Sequence, residues 1–94
     1  MNYELAKELK DAGFPNLQDI PDEYLVNNLP DLSELIEACG EEFGSLDKLD
    51  SGSDNDWYAY PKTGRVPRVM GQGGKTPDIA VAYLYLALNK NPTV

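Results

Sequence analysis

The residues Gly73-Gly74-Lys75-Thr76 resemble the end of a phosphate-binding loop, which would make this stretch a nucleotide site. Such a loop needs a further glycine five positions before the glycine of Gly-Lys-Thr, and Val69 occupies that position. We therefore predict a chain turn at the glycines, followed by a helix that Thr76 caps. The free amides at the start of that helix could, together with Lys75, still hold one anionic group.

Carboxylates that could bind a hard cation occur in the segment DSGSDND, which contains Asp50, Asp54 and Asp56. The glycine precedes these aspartates and no bidentate glutamate follows, so the order of a calcium loop is not matched and we expect a solvated turn. The chain has no histidine, and Cys39 lies on the apolar stripe of a predicted helix, where it fits a small core residue. We therefore expect no enzyme activity, no metal and no cofactor.

Aromatic and basic side chains follow one another closely from residue 57 onward. Aromatic rings interleaved with cations can stack nucleobases. The same alternation also produces a hairpin with one core face and one exposed face, which is the interpretation we favour. If a partner binds this part of the chain, the candidate residues are Trp57, Tyr58, Tyr60, Lys62, Arg65, Arg68 and Lys75.

The net charge of −8 is distributed unevenly. Residues 1–60 contain fifteen acidic residues and three lysines, whereas residues 61–94 contain five basic residues and one acidic residue. This asymmetry predicts an acidic face and a small basic patch. Because neutralisation of phosphates drives nucleic-acid affinity, an acidic chain is not expected to bind nucleic acid in general. The acidic face could suit a basic protein partner or mimic nucleic acid, although solubility alone is the interpretation we favour. The candidate acidic face consists of Glu34, Glu37, Glu41 and Glu42.

Length and composition predict one domain over residues 1–94. Within it, residues 1–30 are expected to form an N-terminal helix and an irregular linker, and residues 31–90 the core. No apolar run reaches the ~20 residues that a membrane span requires, and the first residues lack the basic-then-apolar pattern of a signal peptide. With a single cysteine, the chain fits a reducing cytoplasm.

Residues 3–12 are predicted to form an amphipathic helix, because Leu5, Leu9 and Ala12 fall on one face. Gly13 supplies the left-handed position that ends such a helix. Residues 14–30 contain three prolines and are predicted to be a loop, with at most one helical turn near Asp22.

The segment PDLSELIEACG carries the clearest helix signal. Asp31 and Glu34 have the spacing of a capping box, and Gly40 is placed to end the helix. The apolar stripe consists of Leu32, Leu35, Ile36 and Cys39.

Three strands are predicted next, in FGSLDKLD, DWYAYP and RVPRVM, with a hairpin loop at PKTGR. In the second strand Trp57 and Ala59 should share one face and Tyr58 and Tyr60 the other. The last element, TPDIAVAYLYLALNK, is a helix that begins at Pro77. It is apolar on all sides, so it should pack on the sheet and also under other helices or a partner, and a homodimer is allowed. The predicted fold class is α+β, with the order α-α-β-β-β-α and a three-stranded antiparallel sheet packed against helices.

Three stretches, KELKDAGFP, LSELIEACG and TPDIAVAYLYLALNK, resemble small uncharacterised proteins encoded by phages and prophages of gut bacteria. The final helix is also similar to the Thr-Pro-initiated helix of phage α/β/α sandwich domains. The resemblance implies an origin in a mobile element and carries no activity with it.

From residue 31 onward the order of elements resembles that of the double-stranded-RNA-binding domain, in which lysines at the start of the final helix contact phosphates. In this chain the corresponding position holds one lysine, Lys75, and an acidic residue, Asp78, so only the order of elements is shared with that domain. GGKTPDIAVAYLYLAL is similar to the turn and helix of HicB-type antitoxins, and acidic antitoxins bind basic toxins. The sequence thus favours a non-enzymatic acidic protein that binds a host protein, with a weak RNA or nucleotide binder and a HicB-like antitoxin as alternatives.

Overall fold

A computed structural model describes residues 2–48, 56–62 and 71–90. Within these ranges the chain forms three α-helices, three short 3-10 helices and one antiparallel sheet. The α-helices and strands are α1 (Tyr3–Asp11), α2 (Leu32–Cys39), β1 (Phe43–Lys48), β2 (Trp57–Pro61), β3 (Gln72–Gly74) and α3 (Pro77–Lys90). The 3-10 helices are Pro15–Leu17, Asp22–Asn27 and Gly40–Glu42. The predicted α+β class and element order are confirmed.

Local sequence signals set the ends of the first two helices. Asn2 caps α1, since its side chain accepts a hydrogen bond from the Leu5 amide at 2.9 Å, and Gly13 follows with a φ of 93°. In α2 both halves of the predicted capping box are present. The Glu34 amide donates to the Asp31 carboxylate at 2.8 Å, and the Asp31 amide donates to the Glu34 carboxylate at 3.1 Å.

The sheet has the order β1-β2-β3, and both neighbouring pairs are antiparallel. Ala59 of β2 pairs with Leu46 on one side and with Gln72 on the other. The prediction of a turn at the glycines was wrong for Gln72–Gly74, which forms β3. The predicted strand at residues 65–70 lies outside the described residues, as does most of the predicted loop at residues 61–65. Periodicity could not reveal β3, because two of its three residues are glycine and carry no side chain to alternate.

The core of the described residues is built around α3. Ala80, Val81, Ala82 and Leu84 are fully buried, and α3 contacts α1, α2, β2 and β3. A helix apolar on several sides is stable only where neighbours cover those sides, and the prediction of sheet and helix contacts is confirmed. Other buried side chains come from α1, α2, the sheet and the segment between the first two helices: Leu5, Ala6, Leu9, Phe14, Leu17, Leu25, Leu35, Cys39 and Ala59.

The segment between α1 and α2 is more ordered than the predicted loop. It contains two 3-10 helices and buries Phe14, Leu17 and Leu25 in the common core. Lys10 fixes it to α1, since its ammonium donates to the Ile20 carbonyl at 2.6 Å and to the Asp22 carboxylate at 2.9 Å. Single proline and leucine residues carry no periodic signal, so this order comes from tertiary contacts.

Gly74 marks the closest approach between the sheet and α3. A Cβ at this position would lie 2.6 Å from the Ala80 backbone nitrogen and 2.9 Å from the Ile79 Cγ2 atom. Backbone atoms of a buried helix cannot move aside cheaply, so Gly74→Ala should destabilise the fold by about 1–3 kcal/mol. Urea unfolding followed by circular dichroism measures this. Gly13→Asn is the control, because that site has open space and asparagine tolerates left-handed backbone, so it should cost about 1 kcal/mol or less. Equal losses in the two variants would contradict the close approach.

Asp22 links Lys7 and Lys10, and this network should make stability depend on pH. Hydrogen bonds from Lys10 and Lys7 lower the pKa of Asp22, and those to Asp22 and Asp11 raise the pKa of Lys7. Asp22 therefore makes its full contribution to the free energy of unfolding above its unfolded pKa, and this contribution is lost as the pH falls through its lower folded pKa. Lys7 makes its full contribution below its unfolded pKa, and this contribution is lost as the pH rises through its higher folded pKa.

We therefore expect Asp22→Asn to reduce stability most between about pH 5 and pH 9, with the difference from the wild type narrowing below about pH 4 and above about pH 10. Thermal unfolding of both proteins across this range tests the expectation. Asp19→Asn, an exposed position in the same segment, is the matched control and should show no such profile. A difference for Asp22→Asn that is constant with pH would refute the role of the ion pairs.

Candidate functional site

The four residues of the predicted acidic face lie on α2 and on the 3-10 helix that follows it. Glu37 and Glu41 are exposed, whereas Glu34 and Glu42 are half-buried. The segment 31–42 contains no lysine or arginine. The acidic face is therefore a continuous piece of chain, in which two carboxylates reach furthest into solvent.

Glu34 is held in place by hydrogen bonds from two directions. Its carboxylate accepts from the Asp31 amide at 3.1 Å and from the Asn16 side-chain amide at 2.5 Å. Each bond uses one of the two oxygens, and a carboxylate can accept about four in total. The Glu34 carboxylate is thus held in place and can still accept further hydrogen bonds.

A groove runs between α2 and the start of the 14–30 segment, and we call it the α2 groove. It has a volume of about 360 Å³. Its lining residues are Phe14, Pro15, Asn16, Glu34, Glu37 and Ala38. Two residues of the predicted acidic face therefore share one concave surface with apolar walls.

The other two acidic residues take part in the junction between the helices and the sheet. The Lys62 amide donates to the Glu42 carbonyl at 2.7 Å, which joins the end of the 3-10 helix to the end of β2. Glu41 and Glu42 both make interactions within the protein. Of the acidic face, Glu37 and the fixed Glu34 are the pair that the fold directs to a single groove.

The predicted hairpin site is divided between the two faces of the sheet. Tyr58 and Tyr60 share one face, with ring centroids 6.2 Å apart and planes inclined by 22°. Trp57 packs with the core on the opposite face, and the Lys48 ammonium lies 5.9 Å from its ring centroid. The predicted alternation along β2 is therefore confirmed. It also means that the three aromatic residues do not form one binding surface.

The two described basic residues of that site, Lys62 and Lys75, are also far apart along the sheet. Lys62 follows the last residue of β2, whereas Lys75 follows Gly74, which pairs with Trp57 at the first residue of β2. With a rise of about 3.3 Å per residue, the two lysines lie on the order of 20 Å apart. Arg65 and Arg68 lie outside the described residues. At this separation Lys62 and Lys75 cannot both contact one small ligand.

The stretch that resembles a phosphate-binding loop serves as the last strand and a helix start. The Ile79 amide donates to the Thr76 hydroxyl at 3.5 Å, and the Thr76 hydroxyl donates to the Asp78 carboxylate. Thr76 therefore acts as the predicted cap. Because Asp78 already places a negative charge at this helix start, the geometry is unfavourable for an additional anion at Lys75.

Cys39 lies in the core, as predicted, and burial raises the pKa of its thiol to about 12. Burial also raises the pKa of the adjacent Tyr85 phenol, with a further contribution from Cys39. A protonated, enclosed thiol is a poor nucleophile. Across residues 2–48, 56–62 and 71–90, no group of three or more carboxylate, cysteine or histidine side chains is placed to hold a metal. Asp50 and Asp54 of the predicted solvated turn lie outside the described residues.

No protein-family model, no curated protein and no solved structure matches this chain significantly. Among the described helices, none is both long enough and apolar enough to cross a membrane. The arguments about function therefore rest on the residues and their geometry.

The α2 groove itself was not apparent from the sequence. Glu34 and Glu37 were identified as acidic, but Pro15 and Asn16 belong to a segment predicted to be a loop. The one sequence signal related to the groove was the capping box, which places Glu34 at the start of a helix. The approach of Asn16 to Glu34 spans eighteen residues, and the segment that carries Asn16 is anchored by Phe14 and Leu17 in the common core.

Proposed function

We propose that this protein is a non-enzymatic binding protein of the cytoplasm whose acidic surface on α2 and residues 40–42 engages a basic surface of another protein. The observation that carries the proposal is the concentration of the four glutamates of the acidic face, two of them exposed, on a capped helix and the 3-10 helix that follows it, with no lysine or arginine in residues 31–42. A rigid charged surface loses little conformational entropy when a partner binds, and its charge accelerates encounter with a partner of opposite sign.

The basic residues elsewhere in the first half of the chain support this assignment. Lys7 and Lys10 are both engaged by Asp22, and Lys48 lies beside Trp57. These lysines are thus committed to contacts within α1, the 3-10 helix 22–27 and the sheet. Glu37 and Glu41 are exposed, so a basic partner can reach them.

The resemblance to phage and prophage proteins makes a bacterial host protein the expected partner. A small basic toxin, of the kind that acidic antitoxins bind, has the same complementary charge. Both partners would be recognised through lysine and arginine side chains.

The proposal is tested by capture from bacterial lysate with the tagged protein, comparing the wild type with the Glu37→Lys/Glu41→Lys variant. Glu37 and Glu41 are exposed, so charge reversal there should disturb the fold less than at Glu34 and Glu42, which are half-buried. We expect a specific partner to bind the wild type and to be lost, by about tenfold or more, from the variant.

Glu4→Lys/Glu23→Lys is the matched control, because it changes the net charge equally at two exposed positions outside the acidic face. It should retain the partner. Equal retention by both variants would refute the acidic surface as the binding site. Equal loss would show that net charge, and not this surface, governs capture.

A second candidate function rests on Tyr58 and Tyr60, which share the sheet face opposite the one that packs on the helices. We propose weak stacking of RNA bases on this pair as the alternative to protein binding. Titration of labelled single-stranded and double-stranded RNA at low salt should then show binding that Tyr58→Ser/Tyr60→Ser abolishes. Absence of binding at low salt, where phosphate attraction is strongest, would eliminate this candidate.

A further inference from the structure

We infer that the α2 groove is the recognition pocket of the acidic surface and that it accepts an arginine side chain of the partner. The inference rests on the proposed function and adds the chemical identity of the group that is recognised. It is carried by the combination of acceptors, apolar walls and volume that the six lining residues create.

The polar atoms of the groove favour a hydrogen-bond donor with a positive charge. The side chains of Glu34 and Glu37 are acceptors, and none of the lining residues is basic. Asn16 donates its amide to Glu34, so the carbonyl oxygen of the same side chain remains as an acceptor. A ligand with a negative charge would be repelled by the carboxylates of Glu34 and Glu37.

The walls and the size fit a long side chain with an aliphatic stem. Pro15 and Ala38 provide apolar surface beside the carboxylates, and the buried Phe14 closes the groove from the core side. Long basic side chains place methylene groups against apolar surface and keep the charged head in contact with polar groups and water. A volume of about 360 Å³ accommodates one such side chain, whereas a base-paired nucleic acid or a whole helix does not fit.

The arrangement of the acceptors favours arginine over lysine. Glu34 and Glu37 lie one turn apart on α2, and Asn16 approaches from the neighbouring segment, so acceptors surround the groove on separate sides. A planar guanidinium presents five N–H donors in fixed directions and can satisfy several carboxylate oxygens together, whereas an ammonium offers three donors around one point. Because Asn16 and Asp31 hold Glu34 in place, part of the ordering cost of binding is already met before the ligand arrives.

The test uses the complete protein labelled with nitrogen-15 and a minimal probe, the acetyl-Gly-Arg-Gly-amide peptide. We expect saturable changes in chemical shift confined to the Asn16 side-chain amide and the backbone amides of residues 14, 16 and 34–38. The acetyl-Gly-citrulline-Gly-amide peptide has nearly the same shape without the charge and should produce no such changes. The corresponding lysine peptide should bind several-fold more weakly.

The Glu34→Gln/Glu37→Gln variant removes the charges and should abolish the changes. Glutamine also completes a capping box, so α2 should keep its helical signal and its unfolding midpoint. Glu23→Gln, an exposed acid outside the groove, is the control and should bind as the wild type does. Equal shifts with the citrulline peptide, lysine binding as strong as arginine binding, or shifts spread over α1 and residues 22–27 would each overturn the inference.

The two experiments distinguish an error in the inferred arginine pocket from an error in the proposed function of the acidic surface. If the arginine peptide does not bind while charge reversal at Glu37 and Glu41 still releases the partner, the surface is correct and the pocket is not. If the peptide binds in the groove and charge reversal leaves capture of the partner unchanged, the pocket is real and the proposed function is wrong.

Discussion

The burial of α3 between the sheet and the other two helices is the constraint on which the rest of the structure depends. Residues 79–82 of this helix carry small or β-branched side chains, and Ala80, Val81 and Ala82 are fully buried. Such side chains let neighbours approach closely, and there is no room for a Cβ on Gly74 beside the Ala80 nitrogen. The sheet face that carries Ala59 covers one side, and α1 and α2 cover others. Without these neighbours the helix would expose apolar surface on every side.

This arrangement decides which residues are available for function. Side chains that face α3 are committed to the core, including Cys39, whose raised pKa follows from the same burial. The stretch that resembles a phosphate-binding loop is explained by packing, because its glycine admits the helix and its threonine caps it. The candidate binding residues outside this core include the acidic face on α2 and the two tyrosines Tyr58 and Tyr60.

The acidic side of α2 gains its form from contacts distant in sequence. Without these contacts, Glu34 would only cap the helix and Glu37 would only be a solvated carboxylate. When the 14–30 segment folds back on α1 through Lys10 and Asp22, it brings Asn16 to Glu34 and builds the second wall of the α2 groove. The segment that Lys10 and Asp22 join to α1 thus also forms part of the α2 groove.

The sequence by itself determined the local elements: the capping box of Asp31 and Glu34, the start of α3 at Pro77, and the alternation along β2. These depend on hydrogen bonds and side-chain directions between residues a few positions apart, which a linear pattern records. Only the tertiary structure decided that Gln72–Gly74 is a strand, that the 14–30 segment is ordered, and that two glutamates share a groove with Asn16. Those features arise from close packing between distant segments, and glycines or single prolines leave no periodic trace of such packing in the sequence.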